Sequence, residues 1–120
     1  MNEIDKIWSN AKPIIVAAWK RSEDVGLPHN SKNLNEVLSA FDYFVSNVKA
    51  LPAKHTDDQV LAEIEKLYAT LNGINESFDH GLIETGEREL LVPIVVDIAT
   101  AAGVEADKYD GEPGGEFRDF

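Results

Sequence analysis

Four stretches of this 120-residue chain place an apolar side chain at every third or fourth position, and that spacing commits each to a helix with one buried face. The first stripe runs Ile4, Trp8, Ala11, Ile15, Ala18 and Trp19; the second runs Leu34, Val37, Leu38, Phe41, Phe44 or Val45, and Val48. The third is Val60, Leu61, Ile64, Leu67, Tyr68 and Leu71, and the fourth is Leu90, Leu91, Ile94, Val95, Ile98 and Ala102. Core packing accounts for Trp8 and Trp19, which share one face at helical spacing.

Start and stop signals bound the stripes. Asn2 is placed to cap the first, and Pro13 keeps the phase of the stripe, which argues for one helix with a kink. Gly26 and Pro28 then mark a loop over residues 23–30. Ser31 or Asn33 is the expected cap of the second helix, and Pro52 ends it. Thr56-Asp57-Asp58-Gln59 is a capping box with two carboxylates at the positive end of the third helix, for which Asn72-Gly73 is the expected stop. Residues 74–84 read as an irregular connection anchored by Ile74 and Phe78. Thr85 caps the fourth helix, with Glu87 and Glu89 in its first turns, Pro93 bending its axis and Gly103 closing it. The β-branched run Val92–Val96 suggests a strand, but the length of the pattern and its alanine-rich end favour helix.

Short connections between four such helices imply an all-α antiparallel bundle over residues 1–104. About twenty buried Leu, Ile, Val and Phe positions, each contributing roughly 1.5–3 kcal/mol, offset the ordering entropy without a cofactor. Residues 105–120 are an acidic, glycine-rich tail whose rings, Tyr109, Phe117 and Phe120, predict that it docks on the bundle. Phe117 and Phe120 are expected in a groove, with Arg118 meeting one of the acids Glu84, Glu87 or Glu89.

Charge narrows the functions open to the chain. The net −11 lies wholly beyond residue 55, where the balance is −12: residues 56–104 carry ten acids against two bases, and the tail carries six against two. Such a field repels phosphate backbones and anionic head groups, so nucleic-acid and membrane partners are disfavoured and a basic protein partner is permitted. The absence of cysteine excludes disulfides and thiolate chemistry. With no apolar signal core near Met1 and no long apolar run, the cytoplasm is the expected compartment.

A search for chemistry finds no catalytic, cofactor or metal set. No Glu stands three residues before a His, as a di-iron bundle requires, and His29, His55 and His80 all fall in predicted loops. There is no Gly-x-Ser-x-Gly turn, and Gly111-Glu112-Pro113-Gly114-Gly115 has acids where phosphates would sit and no helix after it. The carboxylates Asp57, Asp58, Glu63, Glu65, Glu84, Glu87 and Glu89 are the candidate protein-binding residues.

Leu71-Asn72, Leu82-Ile83-Glu84-Thr85, Glu87-Arg88-Glu89, Ala101-Ala102-Gly103 and the closing Gly115-Glu116-Phe117-Arg118-Asp119-Phe120 carry a resemblance. Over residues 67–120 the chain resembles an uncharacterised bacterial family of small acidic helical proteins that end in Glu-aromatic-Arg-acid-aromatic. This chain departs from the pattern in having Phe rather than Trp at both aromatic places. The group is similar to immunity proteins of toxin systems, which implies action by binding. The expected function is therefore non-enzymatic: an immunity-type inhibitor that covers a basic toxin or nuclease with acidic surface. A self-associating structural or regulatory module is the alternative, and a small hydrolase using carboxylates and a loop histidine stands behind it.

Overall fold

The computed structural model describes residues 2–120, with Asn2 described by its backbone alone, so the capping expected of the Asn2 side chain lies outside the described residues. Among them are four α-helices, α1 (Asn2–Asp24), α2 (Ser31–Lys49), α3 (Asp57–Glu76) and α4 (Thr85–Ala101), and no strand. Two 3-10 turns follow, at Ala106–Tyr109 and Gly115–Phe117. The helices pack side by side in the order α4, α1, α2, α3, with little direct contact between α3 and α4. None is long and apolar enough to cross a membrane.

Each apolar stripe becomes the inward face of its helix. Ile4, Ile15, Val37, Phe41, Val48, Val60, Ile64, Leu71, Leu91, Val95 and Ile98 are all fully enclosed. Trp8 stacks on Phe41 with ring centres 5.3 Å apart, and its Nε1 donates to Asp42 Oδ1 at 2.7 Å. Lys49 adds an ion pair to Asp5 at 2.7 Å, so polar contacts as well as packing fix α1 on α2. Pro13 and Pro93 both lie inside continuous helices, and the Val92–Val96 run is helical.

Local signals near the helix ends needed correction. The α2 cap is Asn30, not Ser31 or Asn33: Asn30 Oδ1 accepts from the Asn33 N–H at 2.9 Å while Asn33 Oδ1 accepts from the Asn30 N–H at 3.1 Å. Asn33 performs the reciprocal role usually given to Glu or Gln. For α3 the expected box stands, with Gln59 and Thr56 bonded both ways. The α4 cap is Glu84 rather than Thr85, because the Glu87 carboxylate reaches back three residues to accept from the Glu84 N–H at 3.0 Å.

Nor does α3 stop at Asn72-Gly73; it continues to Glu76, so residues 74–76 are helical. A helical glycine costs about 1 kcal/mol relative to alanine. That cost is outweighed because the extra turn carries Ile74 onto the core and Asn75 into it, where Asn75 is 1% exposed. Asn75 Oδ1 accepts from the backbone N–H groups of Leu82 and Ile83 at 3.1 and 2.7 Å, and its Nδ2 donates to the Ile83 carbonyl. One side chain thus satisfies three backbone groups of the α3–α4 connection, whose reversal uses left-handed Asp79 and His80.

The tail runs along α3. Tyr109 donates to Asp57 at its start, Gly114 lies against Ile64, and Asn72 grips the end of the tail, donating to the Phe117 carbonyl and accepting from the Asp119 N–H. Phe120 meets Tyr68 edge-on at 5.7 Å and shares a cleft with the start of α4. The tail therefore fills the seam that α3 and α4 leave open.

Candidate functional site

Because α3 and α4 run in opposite directions, the sequence-selected carboxylates do not form one patch. Asp57 and Asp58 stand at the start of α3, whereas Glu84, Glu87 and Glu89 stand at the start of α4, at the other end of the bundle. A helix of α3's length separates them by about 30 Å. Glu65 is exposed midway along α3, and Glu63 turns aside into the groove between α2 and α3.

The first end gathers acids that sequence reasoning had not grouped. After α4 the chain folds back so that the Tyr109 hydroxyl donates to Asp57 Oδ2 at 2.8 Å. This hydrogen bond, with burial and the charges of Asp57 and Asp58, raises the Tyr109 phenol above its usual range. The same turn carries Glu105, Asp107 and Asp110, all exposed, beside the exposed Asp58. Lys54 and Lys108 are the lysines of these segments, and Lys108 approaches Glu105 only at 3.9 Å. Beneath the acids, His55 ties the α2–α3 loop to the end of α4, its Nδ1 facing the Pro52 carbonyl at 2.8 Å and its Nε2 facing the Ala102 carbonyl. Two acceptors favour the doubly protonated ring, so its pKa is raised.

At the opposite end, the α1–α2 loop folds His29 inward until it is 3% exposed, although nothing in its sequence neighbourhood marks it as buried. Its ring meets Trp19 edge-on at 4.8 Å, and Nε2 lies 3.4 Å from Glu87 Oε2. That approach is within ionic reach, but neither ring nitrogen makes a hydrogen bond. His80, Glu84, Thr85, Arg88 and Asp119 line the adjoining polar cleft. A histidine and a carboxylate do meet here, as a hydrolytic reading would require. The ring nitrogens, however, are sealed from solvent, and the other Glu87 oxygen is engaged by the Glu84 N–H. General-base chemistry needs a nitrogen within hydrogen-bond reach of a substrate proton. Among the described residues, no three His, Asp or Glu side chains converge as metal ligands would.

The tail residues take a different ion-pair partner from the one expected. Arg118 does not meet Glu84, Glu87 or Glu89; it grips Glu112, with Nε at 2.7 Å from Oε2 and Nη2 at 2.9 Å from Oε1. The 3-10 turn at Gly115–Phe117 brings these two residues together, and a paired fork is the geometry guanidinium and carboxylate favour. Phe117 and Phe120 are half-buried against the core, and Phe120 also lies beneath the Arg118 guanidinium at 5.6 Å.

A groove of about 600 Å³ lies between α2 and α3 on the face away from α1. Its wall includes Ala40, Phe44 and Leu67, with Tyr43, 72% exposed, at the rim. Glu63 lies on this groove with Oε2 paired to Lys66 at 3.2 Å and Oε1 buried without a partner. Glu63, Leu67, Thr70 and Ile74 share one side of α3, but Leu67 belongs to the core stripe and Glu63 and Thr70 are polar, so apolar periodicity did not signal the groove. Compared with protein-family models, with curated proteins and with solved structures, the chain shows no match.

Proposed function

We propose that the protein acts by binding, presenting the acidic end formed by Asp57, Asp58, Glu105, Asp107 and Asp110 to a basic protein. The observation that carries this reading is the Tyr109–Asp57 hydrogen bond, which holds the turn after α4 against the start of α3 and so gathers acids from two distant segments. Preorganised like charges focus a field that speeds encounter with an oppositely charged partner. The resemblance of residues 67–120 to small acidic bacterial proteins supports an immunity-type role, with a toxin or nuclease as the basic partner. Glu84, Glu87 and Glu89 lie too far away to join the same contact, and Glu87 is occupied in capping α4.

The test is a kinetic measurement against the basic product of a neighbouring gene. The association rate is expected to fall about tenfold or more from low to high salt, and to fall again when Asp58 and Asp107 are reversed to Lys. A rate indifferent to both changes would defeat the reading.

One observation favours self-association instead: Val16 on α1, 40% exposed, lies with Trp8, Pro13 and Ala17 along one largely apolar hollow of that helix. Light scattering over a range of concentrations separates the two, since a strict monomer excludes a self-associating module.

A further inference from the structure

Asn72 is the one asparagine of the chain followed by a glycine, and it is also the residue that fastens the end of the tail. Its Nδ2 donates to the Phe117 carbonyl at 2.9 Å, and its Oδ1 accepts the Asp119 N–H at 2.8 Å. Gly73 is exposed, with nothing within 4 Å of the place where a Cβ would stand. A glycine nitrogen is the least hindered one that can follow an asparagine. It attacks Asn72 Cγ, its proton leaves with the amide nitrogen as ammonia, and a succinimide ring forms. Water then adds across one C–N bond of that ring and opens it to aspartate or isoaspartate.

The fold restrains this reaction in two ways. Gly73 lies within α3, where its N–H is committed to the helix and is freed only when the last turn opens. The two tail bonds keep the Asn72 amide engaged with residues 117 and 119, so they must break before Cγ can meet the Gly73 nitrogen. The product undoes the grip. Aspartate has no donor for the Phe117 carbonyl and sets a second acceptor against it, while isoaspartate adds a methylene to the main chain inside a helix. We infer that Asn72 is a site of spontaneous deamidation guarded by the tail, whose conversion releases residues 115–120 irreversibly. The site is separate from the acidic end and does not depend on the partner proposed there.

The test follows the gain of about 1 Da at Asn72 by peptide mass spectrometry during incubation in mildly alkaline buffer. In urea Asn72 should convert faster than every other asparagine, and the folded chain should slow it about tenfold or more. Arg118→Ala with Phe120→Ala removes the Glu112 pair and the Tyr68 contact without touching Asn72, and should speed conversion of the folded chain about tenfold. Asn30→Ala, which weakens the distant α2 cap, should leave the rate near that of the wild type. Asn72→Asp should expose the bond after Phe117 to chymotrypsin about tenfold more than in the wild type, with circular dichroism verifying that the helices persist. Equal rates with and without the tail contacts, or an equal acceleration in Asn30→Ala, would overturn the guarding role. Faster conversion at another asparagine in urea, or an Asn72→Asp chain as resistant as the wild type, would overturn the site itself.

Discussion

Trp19 donates its indole N–H to Asn33 Oδ1 at 2.7 Å in the interior of the molecule. The same Asn33 oxygen takes the Asn30 N–H, and its amide donates to the Pro28 carbonyl at 3.0 Å. One side chain therefore closes the α2 cap, holds the loop that carries His29, and satisfies the polar edge of a buried tryptophan. Replacing Asn33 by Ala strands all three partners and should cost about 2–4 kcal/mol, since buried groups left unpaired lose about 1–3 kcal/mol each and some recover solvent. Asn30→Ala, which removes only a cap, should cost about 1 kcal/mol. Urea denaturation of both variants checks the order; a smaller loss for Asn33→Ala would contradict the shared role.

The His55 contacts predict a pH dependence. Facing the Pro52 and Ala102 carbonyls, the ring donates from both nitrogens only when protonated, and its folded pKa is raised above the ordinary 6.5. A raised folded pKa contributes stability that is fully present below the unfolded value and is lost as pH rises through the folded one. The stability gap between wild type and His55→Ala should therefore be widest in mild acid and narrow toward alkaline pH. Paired denaturation curves across that interval measure it, and a gap that stays constant excludes the protonated bridge.

Two glycines of the tail separate backbone strain from crowding. Gly111 has φ +82° with open space where a Cβ would stand, so Gly111→Ala should cost about 1 kcal/mol from the left-handed conformation alone. Gly114 has φ +76°, and a Cβ there would lie 2.5 Å from Ile64 Cγ2. Gly114→Ala should lose at least about 1 kcal/mol more than Gly111→Ala, because a rigid core residue must yield. Thermal denaturation of the pair decides it: equal losses would mean that the tail does not press on Ile64.

Removing residues 115–120 takes away the Phe120–Tyr68 contact, the Arg118–Glu112 pair and both hydrogen bonds made by Asn72. A loss of about 2 kcal/mol from that set lowers the melting temperature by about 5–10 °C in a chain of this size. An unchanged melting temperature would refute the docking.

The helices were legible because burial imposes a period, and every stripe position is buried or half-buried in the folded chain. The Thr56 box was legible because Thr and Gln stand at the customary spacing. Asn30 was not, since its partner is Asn33, a residue type that rarely plays that part. Asn72-Gly73 misled because a stop signal is local, while the continuation to Glu76 is decided by Asn75 finding backbone partners in residues 82 and 83. The same limit hid His29 and the acidic end. Periodicity says nothing of loops, and only the fold brings Tyr109 to Asp57, 52 residues away in sequence. Arg118 was expected among the α4 acids because charge alone suggested it; the 3-10 turn gave it a nearer partner.

The tail that occupies the seam beside α3 also bears on the order in which the molecule takes shape. Ribosomes deliver a chain from its amino end, so α2 and α3 emerge and pair while residues 105–120 are still unmade. During that interval Tyr68, later roofed by Phe120, and the flank of Ile64, later met by Gly114, face water. The final segment works as a latch: the crevice stays greasy and adhesive until the last turns arrive, and a molecule stalled before them would be the form most prone to clump.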